Sequence, residues 1–283
     1  MPKVNDDYPN QDQVSDKELK ERAIANYKAP KAETTKTEQP KFPTEIIDLP
    51  SKGLLYPEDN PLSQGQIEMK YMTAREEDIL TNQNYIKRGI VIDKLLQSLI
   101  VTPIDFNDLL VGDKNAILIA SRILGYGSDY SFEYEGKEIT IDLTKVEDIN
   151  LDKSLVKDGK NEFHFTLPTS KTEITFKLMT QGDETAVQKE IDGLKKINKL
   201  ASPSSSTRLK KVILSVDGDY ERKTVREFVD NRLLAKDARA LRNYISDIKP
   251  DVDLTFDFET DDGDTVKMGI PIGVTFFWPD VGV

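Results

Sequence analysis

The apolar positions of this chain change period several times along its length. Residues 43–72 read as extended pieces. Ile46, Ile47 and Leu49 lead into a turn at Pro50-Ser51-Lys52-Gly53, followed by Leu54, Leu55, Tyr56 and Pro57, and Ile67, Met69 and Tyr71 alternate with polar residues as a strand does. From Thr73 the period becomes helical. Thr73 with Glu76 three residues on predicts a capping box, and Glu76, Glu77 and Asp78 place acids where the helix dipole favours them. This helix is predicted to run to about Lys87, with Arg88-Gly89 at its end. A second helix from Ile90 to about Ile100 is stopped by Pro103. A third, from Asp113 to Leu124, puts Ala116, Ile119, Ala120 and Ile123 on one face and ends at Gly125.

From Asp129 the period is two. Tyr130, Phe132 and Tyr134 alternate, Glu135-Gly136 turns, and Ile139 and Ile141 return. Phe163, Phe165 and Leu167 pair with Ile174, Phe176 and Leu178 across residues 168–171. Residues 183–199 read as an amphipathic helix, and Ser202-Pro203-Ser204-Ser205-Ser206 as a loop. Helices are expected at 207–215, 223–234 and 236–247, the last ended by Pro250. Strands at 252–259 and 265–277 close the chain around an Asp261-Asp262-Gly263-Asp264 turn. The fold class is α+β: two helical units interleaved with antiparallel β hairpins. No internal repeat of fixed period is visible.

Residues 1–42 differ from the rest. They hold eight Lys/Arg and eight Asp/Glu with few aromatics, so they cannot bury enough apolar area to offset their ordering entropy and are expected to be disordered. Ser15 and Glu18 form a second capping-box pattern, before Leu19, Ile24 and Tyr27, which predicts a helix at 16–28 that orders on a partner. The division is therefore a flexible tail at 1–42, an extended arm with a three-helix unit at 43–127, and an α+β unit with a terminal hairpin at 128–283.

The formal net charge of −11 sits wholly in residues 43–283 and argues against a general nucleic-acid binder, which needs a basic surface. No apolar run approaches the roughly 18 residues that span a bilayer, and no signal-peptide pattern opens the sequence. The absence of cysteine excludes disulfides and thiolate metal sites.

Catalytic patterns are missing. His164, the single histidine, alternates with Phe163 and Phe165 and has no partner nearby in sequence. Residues 251–264 carry seven acids and no Lys or Arg, but lack the ligand spacing and closing Glu of a calcium loop. Gly125-Tyr126-Gly127 is too short for a nucleotide fingerprint, and neither a Walker A nor a Gly-x-Ser-x-Gly pattern occurs. What remains points to protein contacts. Arg75, Glu76, Glu77 and Asp78 crowd one helix start, and Asp113, Lys114 and Asn115 another. Arg239 and Arg242, at i and i+3, either clamp a partner carboxylate or make surface pairs with Asp237 or Asp247. Phe276 and Trp278 share one face of a terminal strand, as core or as an interface anchor.

Eight short motifs come in a characteristic order: Leu49-Pro50-Ser51-Lys52-Gly53, Thr73 to Leu80, Asp108 to Ala116, Arg122 to Gly127, Thr207-Arg208-Leu209, Ser215-Val216-Asp217-Gly218, Arg239-Ala240-Leu241-Arg242 and Phe276-Phe277-Trp278-Pro279. In these the chain resembles the baseplate hub protein family of T-even-like, contractile-tailed bacteriophages, over roughly residues 43–280. The resemblance implies a non-enzymatic role in virion assembly and leaves open whether the protein stays in the finished particle. The role expected is a structural subunit of the virion baseplate hub, assembled in the host cytoplasm, with other hub and tail proteins, or a second copy, as partners. No cofactor, nucleic acid or membrane is expected among its partners. The alternative role is an assembly chaperone absent from the finished particle. The partner-binding residues expected are Arg75, Glu76, Asp78, Lys114, Arg239, Arg242 and Trp278. The resemblance also implies two Cys-x-x-Cys knuckles joined by zinc. Here those stretches read Ser131 to Gly136 and Phe256 to Asp261, without cysteine. The two hairpins are instead expected to pair through Phe132, Tyr134, Phe256 and Phe258.

Overall fold

A computed structural model describes residues 43–156, 159–197, 204–260 and 263–277. The expected tail at 1–42, its helix at 16–28, the Asp261-Asp262 tip and Trp278-Pro279 lie outside the described residues. The described chain is α+β, its strand pairs antiparallel.

The strand β1 (Thr44–Asp48) pairs with β2 (Gln66–Lys70), Ile47 opposite Ile67. Between them the turn at 50–53 works because Lys52 and Gly53 both take positive φ, 50° and 76°. Three helices follow, α1 (Ala74–Leu80), α2 (Gln83–Lys87) and α3 (Val91–Leu99). The expected single helix from Thr73 to Lys87 is thus two. Asn82 breaks it by turning its side-chain oxygen onto the backbone N–H of Asn84 and Tyr85, at 3.0 and 3.2 Å, which starts a new helix.

The next helix, α4 (Val111–Tyr126), extends past both expected ends. It is not one-sided: Ala116, Ile117, Leu118, Ile119, Ser121 and Arg122 are all buried, because α3, the turn Val274–Phe277 (α9) and the strand β9 (Asp251–Val252) pack around it. Gly112 marks the tightest approach. A Cβ there would lie 1.8 Å from the Pro250 carbonyl oxygen.

The hairpin β3 (Asp129–Tyr134) and β4 (Lys137–Asp142) forms as its alternation predicts. Glu135 and Gly136 at φ 48° and 75° make the two-residue turn with both central residues left-handed. Further on, the short strand β5 (Asp148–Ile149) pairs with β9, and β6 (Phe163–Thr166), β7 (Glu173–Phe176) and β8 (Ile213–Val216) make a three-stranded sheet in that order. Residues 213–215, expected as helix, are strand. The free edge of β7 and the β-favouring Ile213 and Val216 win over helical continuation. Helices α5 (Gln181–Ile197) and α6 (Ser204–Val212) precede β8, so Ser204–Ser206 open a helix rather than closing a loop. The helices α7 (Arg222–Asn231) and α8 (Ala235–Ile248) follow it. The last hairpin joins β10 (Thr255–Glu259) to β11 (Thr265–Gly269). The expected strand to 277 stops at Gly269. Pro271 and Gly273 interrupt it, and α9 turns both Phe276 and Phe277 fully inward instead of alternating them.

The structure also corrects the absence of a repeat. Asp129-Tyr-Ser-Phe-Glu-Tyr-Glu135 and Asp253-Leu-Thr-Phe-Asp-Phe-Glu259 match in kind at six of their seven positions, and Leu109-Leu110-x-x-Asp113-x-x-Ala116 returns as Leu233-Leu234-x-x-Asp237-x-x-Ala240, all at a constant offset of 124 residues. In both halves this Asp helix leads towards an aromatic hairpin and answers to a Leu-Pro turn between antiparallel strands: Leu49-Pro50-Ser51-Lys52 between β1 and β2, and Leu167-Pro168-Thr169-Ser170-Lys171 between β6 and β7. Leu49 and Leu167 are both fully buried, and Lys52 and Lys171 are both left-handed, φ 50° and 60°. Even the third strand recurs. Beside β2 the chain bridges at Met69 and Ile100, where β8 lies beside β7. Only the Leu-Pro turns depart from that offset, at 118 residues from Leu49 to Leu167, so the spacing between turn and helix differs in the two halves.

Candidate interaction surfaces

The two crowded helix starts do different work from that expected. Glu76 is 1 % exposed. Thr73 donates to Glu76 Oε2 from its backbone N–H at 3.0 Å and from its hydroxyl at 2.6 Å, and Lys70 Nζ reaches Oε1 at 2.8 Å. Burial works against the charge, but these donors hold its carboxyl below the usual carboxylate range. Glu76 is therefore an internal tie, not a partner contact. Its neighbours Arg75 and Asp78 are exposed. Glu77 accepts from the Tyr126 hydroxyl at 3.2 Å, and burial, then this carboxylate, push that phenol up to about 12.

Asp113 is fully buried. It accepts from the Ser51 backbone N–H (2.9 Å), the Ser51 hydroxyl (2.7 Å) and the Tyr56 hydroxyl (2.6 Å). Tyr56 in turn accepts from the Leu110 N–H at 2.9 Å. Deep burial outweighs the donors at Asp113, and Asp148 adds to it, so its carboxyl rises above the ordinary value; burial, then the Asp113 carboxylate, raise the Tyr56 phenol. Lys114, beside it, binds Asp93 of α3 and Gln181 of α5, and Asn115 donates to Asp251 at 2.8 Å. All three expected contact residues of this helix start join parts of their own chain.

Asp237 repeats the pattern in the second half. It accepts from the N–H of Thr169 at 2.7 Å and of Ser170 at 2.9 Å. That commitment leaves it no part in the surface pair expected with Arg239 or Arg242. Arg75, Arg239 and Arg242 are exposed, and among the described residues none has an ion pair or hydrogen bond. One turn beyond Arg242, Ile245 enters the lining of an apolar cleft of ≈170 Å³ together with Leu110, Leu178, Met179 and Pro250. The ion pairs Arg208–Glu184 and Lys249–Asp251 stand at its polar margin. Uncommitted arginines on a helix that also lines an apolar slot fit an acidic partner segment with an aliphatic anchor.

The hairpins meet as expected. Phe132 packs on Phe256 with centroids 5.2 Å apart, and Tyr134 contacts Phe256 at 5.9 Å and Phe258 at 4.9 Å, all near edge-to-face. Phe132 and Phe256 are counterparts in the two halves, so the repeats touch through equivalent residues. Arg122 was missed in the sequence. It is 2 % exposed and donates to the carbonyls of Phe276, Gly127 and Asp129 at 2.9, 2.9 and 3.1 Å. It thereby fastens α9 to α4, and a lone Arg in an apolar helix stretch was the signal for it. His164 is exposed on the face opposite Phe163, with Nδ1 3.3 Å from the Thr175 hydroxyl. Among the described residues no cluster of three His, Cys, Asp or Glu is placed to hold a metal, and no helix is long and apolar enough to cross a membrane.

No protein-family model, no curated protein and no solved structure matches this chain.

Proposed function

We propose that this protein is a structural component of the baseplate hub of a contractile phage tail and acts by packing against other hub and tail proteins. The ordered motifs at 43–280 support the reading. The observation that carries it is the exposed, uncommitted Arg239 and Arg242 on α8, the helix whose Ile245 lines the apolar cleft. Most charged residues in the resemblance motifs are spent on internal ties. These two are not, and a packing protein needs an uncommitted surface of mixed character. The role is non-enzymatic, with assembly in the host cytoplasm and residence in the virion.

Mass spectrometry of purified particles beside infected-cell lysate tests it. A fixed copy number per particle is expected. Abundance in lysate with absence from particles would mean an assembly chaperone instead. Arg239→Glu with Arg242→Glu should reduce particle yield while the purified protein keeps its melting temperature. Normal yield would remove this surface from the proposal.

A further inference from the structure

The hydrogen-bond phase of the β1–β2 ribbon shows which groups β1 leaves open. Tyr71 N–H donates to Pro43 O and Leu49 N–H to Gly65 O, so the odd-numbered residues of β1 face β2. Thr44, Ile46 and Asp48 then point their backbone N–H and C=O away from β2, along an edge that no other strand covers among the described residues. Their side chains share the outer face of the ribbon, and Ile46 at the centre is 64 % exposed, the most exposed large apolar side chain described. Natural edges are often blunted by lysine or proline. β1 contains neither within its five residues.

The second half supplies a control within the same molecule. Its β6 is also the outer strand of its sheet. Aligning Leu49 with Leu167 puts His164 where Ile46 stands, and Thr166 where Asp48 stands. One edge is polar and the other carries an isoleucine.

We infer that the β1 edge pairs with the β1 edge of a second copy of this chain, antiparallel, with a twofold axis at Ile46. The sequence Thr44-Glu45-Ile46-Ile47-Asp48 is self-complementary about that axis. Ile46 meets Ile46 of the copy, Glu45 meets Ile47, and Thr44, whose hydroxyl donates to Glu68 at 2.7 Å within one copy, meets Asp48, to which that hydroxyl can turn instead. No like charges stand opposite each other, and each of the three outward residues exchanges two backbone hydrogen bonds with its counterpart. The contact is isologous and closes on itself, so it gives a dimer and not a fibre. It is independent of the tail-assembly reading.

The chain has no cysteine, so Ile46→Cys introduces a single reporter. Hydrogen-bonded antiparallel partners have Cα atoms about 5.5 Å apart, within disulfide reach. Mild oxidation of the full-length Ile46→Cys protein should give a covalent dimer on a non-reducing gel, whereas His164→Cys at the matching edge should stay monomeric. By sedimentation velocity the wild type should be dimeric, and Ile46→Lys should raise the dissociation constant by about tenfold or more with an unchanged melting temperature. Thr44→Asp, which opposes Asp48, should weaken the dimer, and Thr44→Lys should strengthen it. A wild type monomeric at about 100 µM, or a dimer indifferent to Ile46→Lys, would overturn the inference. So would an Ile46→Cys monomer whose introduced thiol is shielded from a thiol reagent, which would mean that another segment of the same chain fills the edge.

Discussion

Asp113 and Asp237 both stand at the third position of a helix, both are closed off from solvent, and both accept from the turn of a Leu-Pro strand connection. Their carboxyl groups nevertheless shift in opposite directions, Asp113 up and Asp237 down. Depth explains this. Asp113 lies under α4, the 50–53 turn and Tyr56, with Asp148 as a neighbouring acid. Asp237 has no exposed surface, yet Thr169 and Ser170, which it binds, are themselves exposed, whereas Ser51 and Tyr56 are buried. Burial is the largest influence on each. In the shallow site the backbone and hydroxyl donors of Thr169 and Ser170 overcome it, and in the deep site those of Ser51 and Tyr56 do not. The same sequence device thus ties a turn in both halves, and its cost depends on how far the charge is from water.

The largest expected effect separates the two. Asp113→Ala leaves the Ser51 N–H, the Ser51 hydroxyl and the Tyr56 hydroxyl short of an acceptor in a buried site. Each such group costs about 1–3 kcal/mol, so chemical denaturation should show a loss of about 3 kcal/mol or more. Asp237→Ala should lower the denaturation midpoint less, because Thr169 and Ser170 are exposed and water can reach their freed N–H groups. An equal loss at both sites would show that depth is not what distinguishes them.

The position before each Asp sharpens the contrast. Gly112 and Lys236 are counterparts. Gly112→Ala drives a Cβ into the Pro250 carbonyl, and overpacking of this kind costs about 1–3 kcal/mol. Lys236 is exposed, so Lys236→Ala should change stability by less than about 0.5 kcal/mol. Urea melts of the two variants decide it. A tolerated Gly112→Ala would mean that β9 can slide off α4.

The pH dependence should also divide. A raised Asp113 value means that the fold holds this proton more tightly than the unfolded chain, so the contribution is present at low pH and is lost as pH rises from the ordinary carboxylate range through the raised folded value. A lowered Asp237 value means the reverse: its contribution is present above the ordinary range and is lost as pH falls through the depressed value. Stability measured against pH should therefore show a shallower acid limb in Asp237→Asn and a shallower loss on the rising side in Asp113→Asn. Identical profiles for the two variants would contradict the opposite shifts.

Much of the fold was readable because local signals agreed. The Glu135-Gly136 turn, the Phe163–Phe176 pairing and the cap at Thr73 each rest on neighbouring residues. The failures were tertiary. β8 exists because β7 had an edge to fill, and α9 turns inward because Arg122, far away in sequence, holds its carbonyl. The charged candidates misled for the same reason. Glu76, Asp113 and Lys114 look like surface residues until the segments that bury them arrive. The repeated Leu-Leu-x-x-Asp and Leu-Pro elements were visible all along, but meaning attached to them only when both Asp residues were seen to bind turns.

The smallest effect is expected two residues beyond Asp237. Arg239 and Arg242 lie on the same helix as that buried tie, yet among the described residues they bind nothing. Each has exchanged a fully hydrated state in the unfolded chain for a nearly hydrated one in the fold, so removal of either head group should leave folding almost unchanged. Alanine at both positions, which also favours helix, should keep stability within about 0.5 kcal/mol of wild type. Differential scanning calorimetry of the double variant checks this. A loss above about 1 kcal/mol would place the two arginines among the internal ties with Glu76 and Asp113, and would remove the uncommitted surface on which partner recognition at the cleft depends.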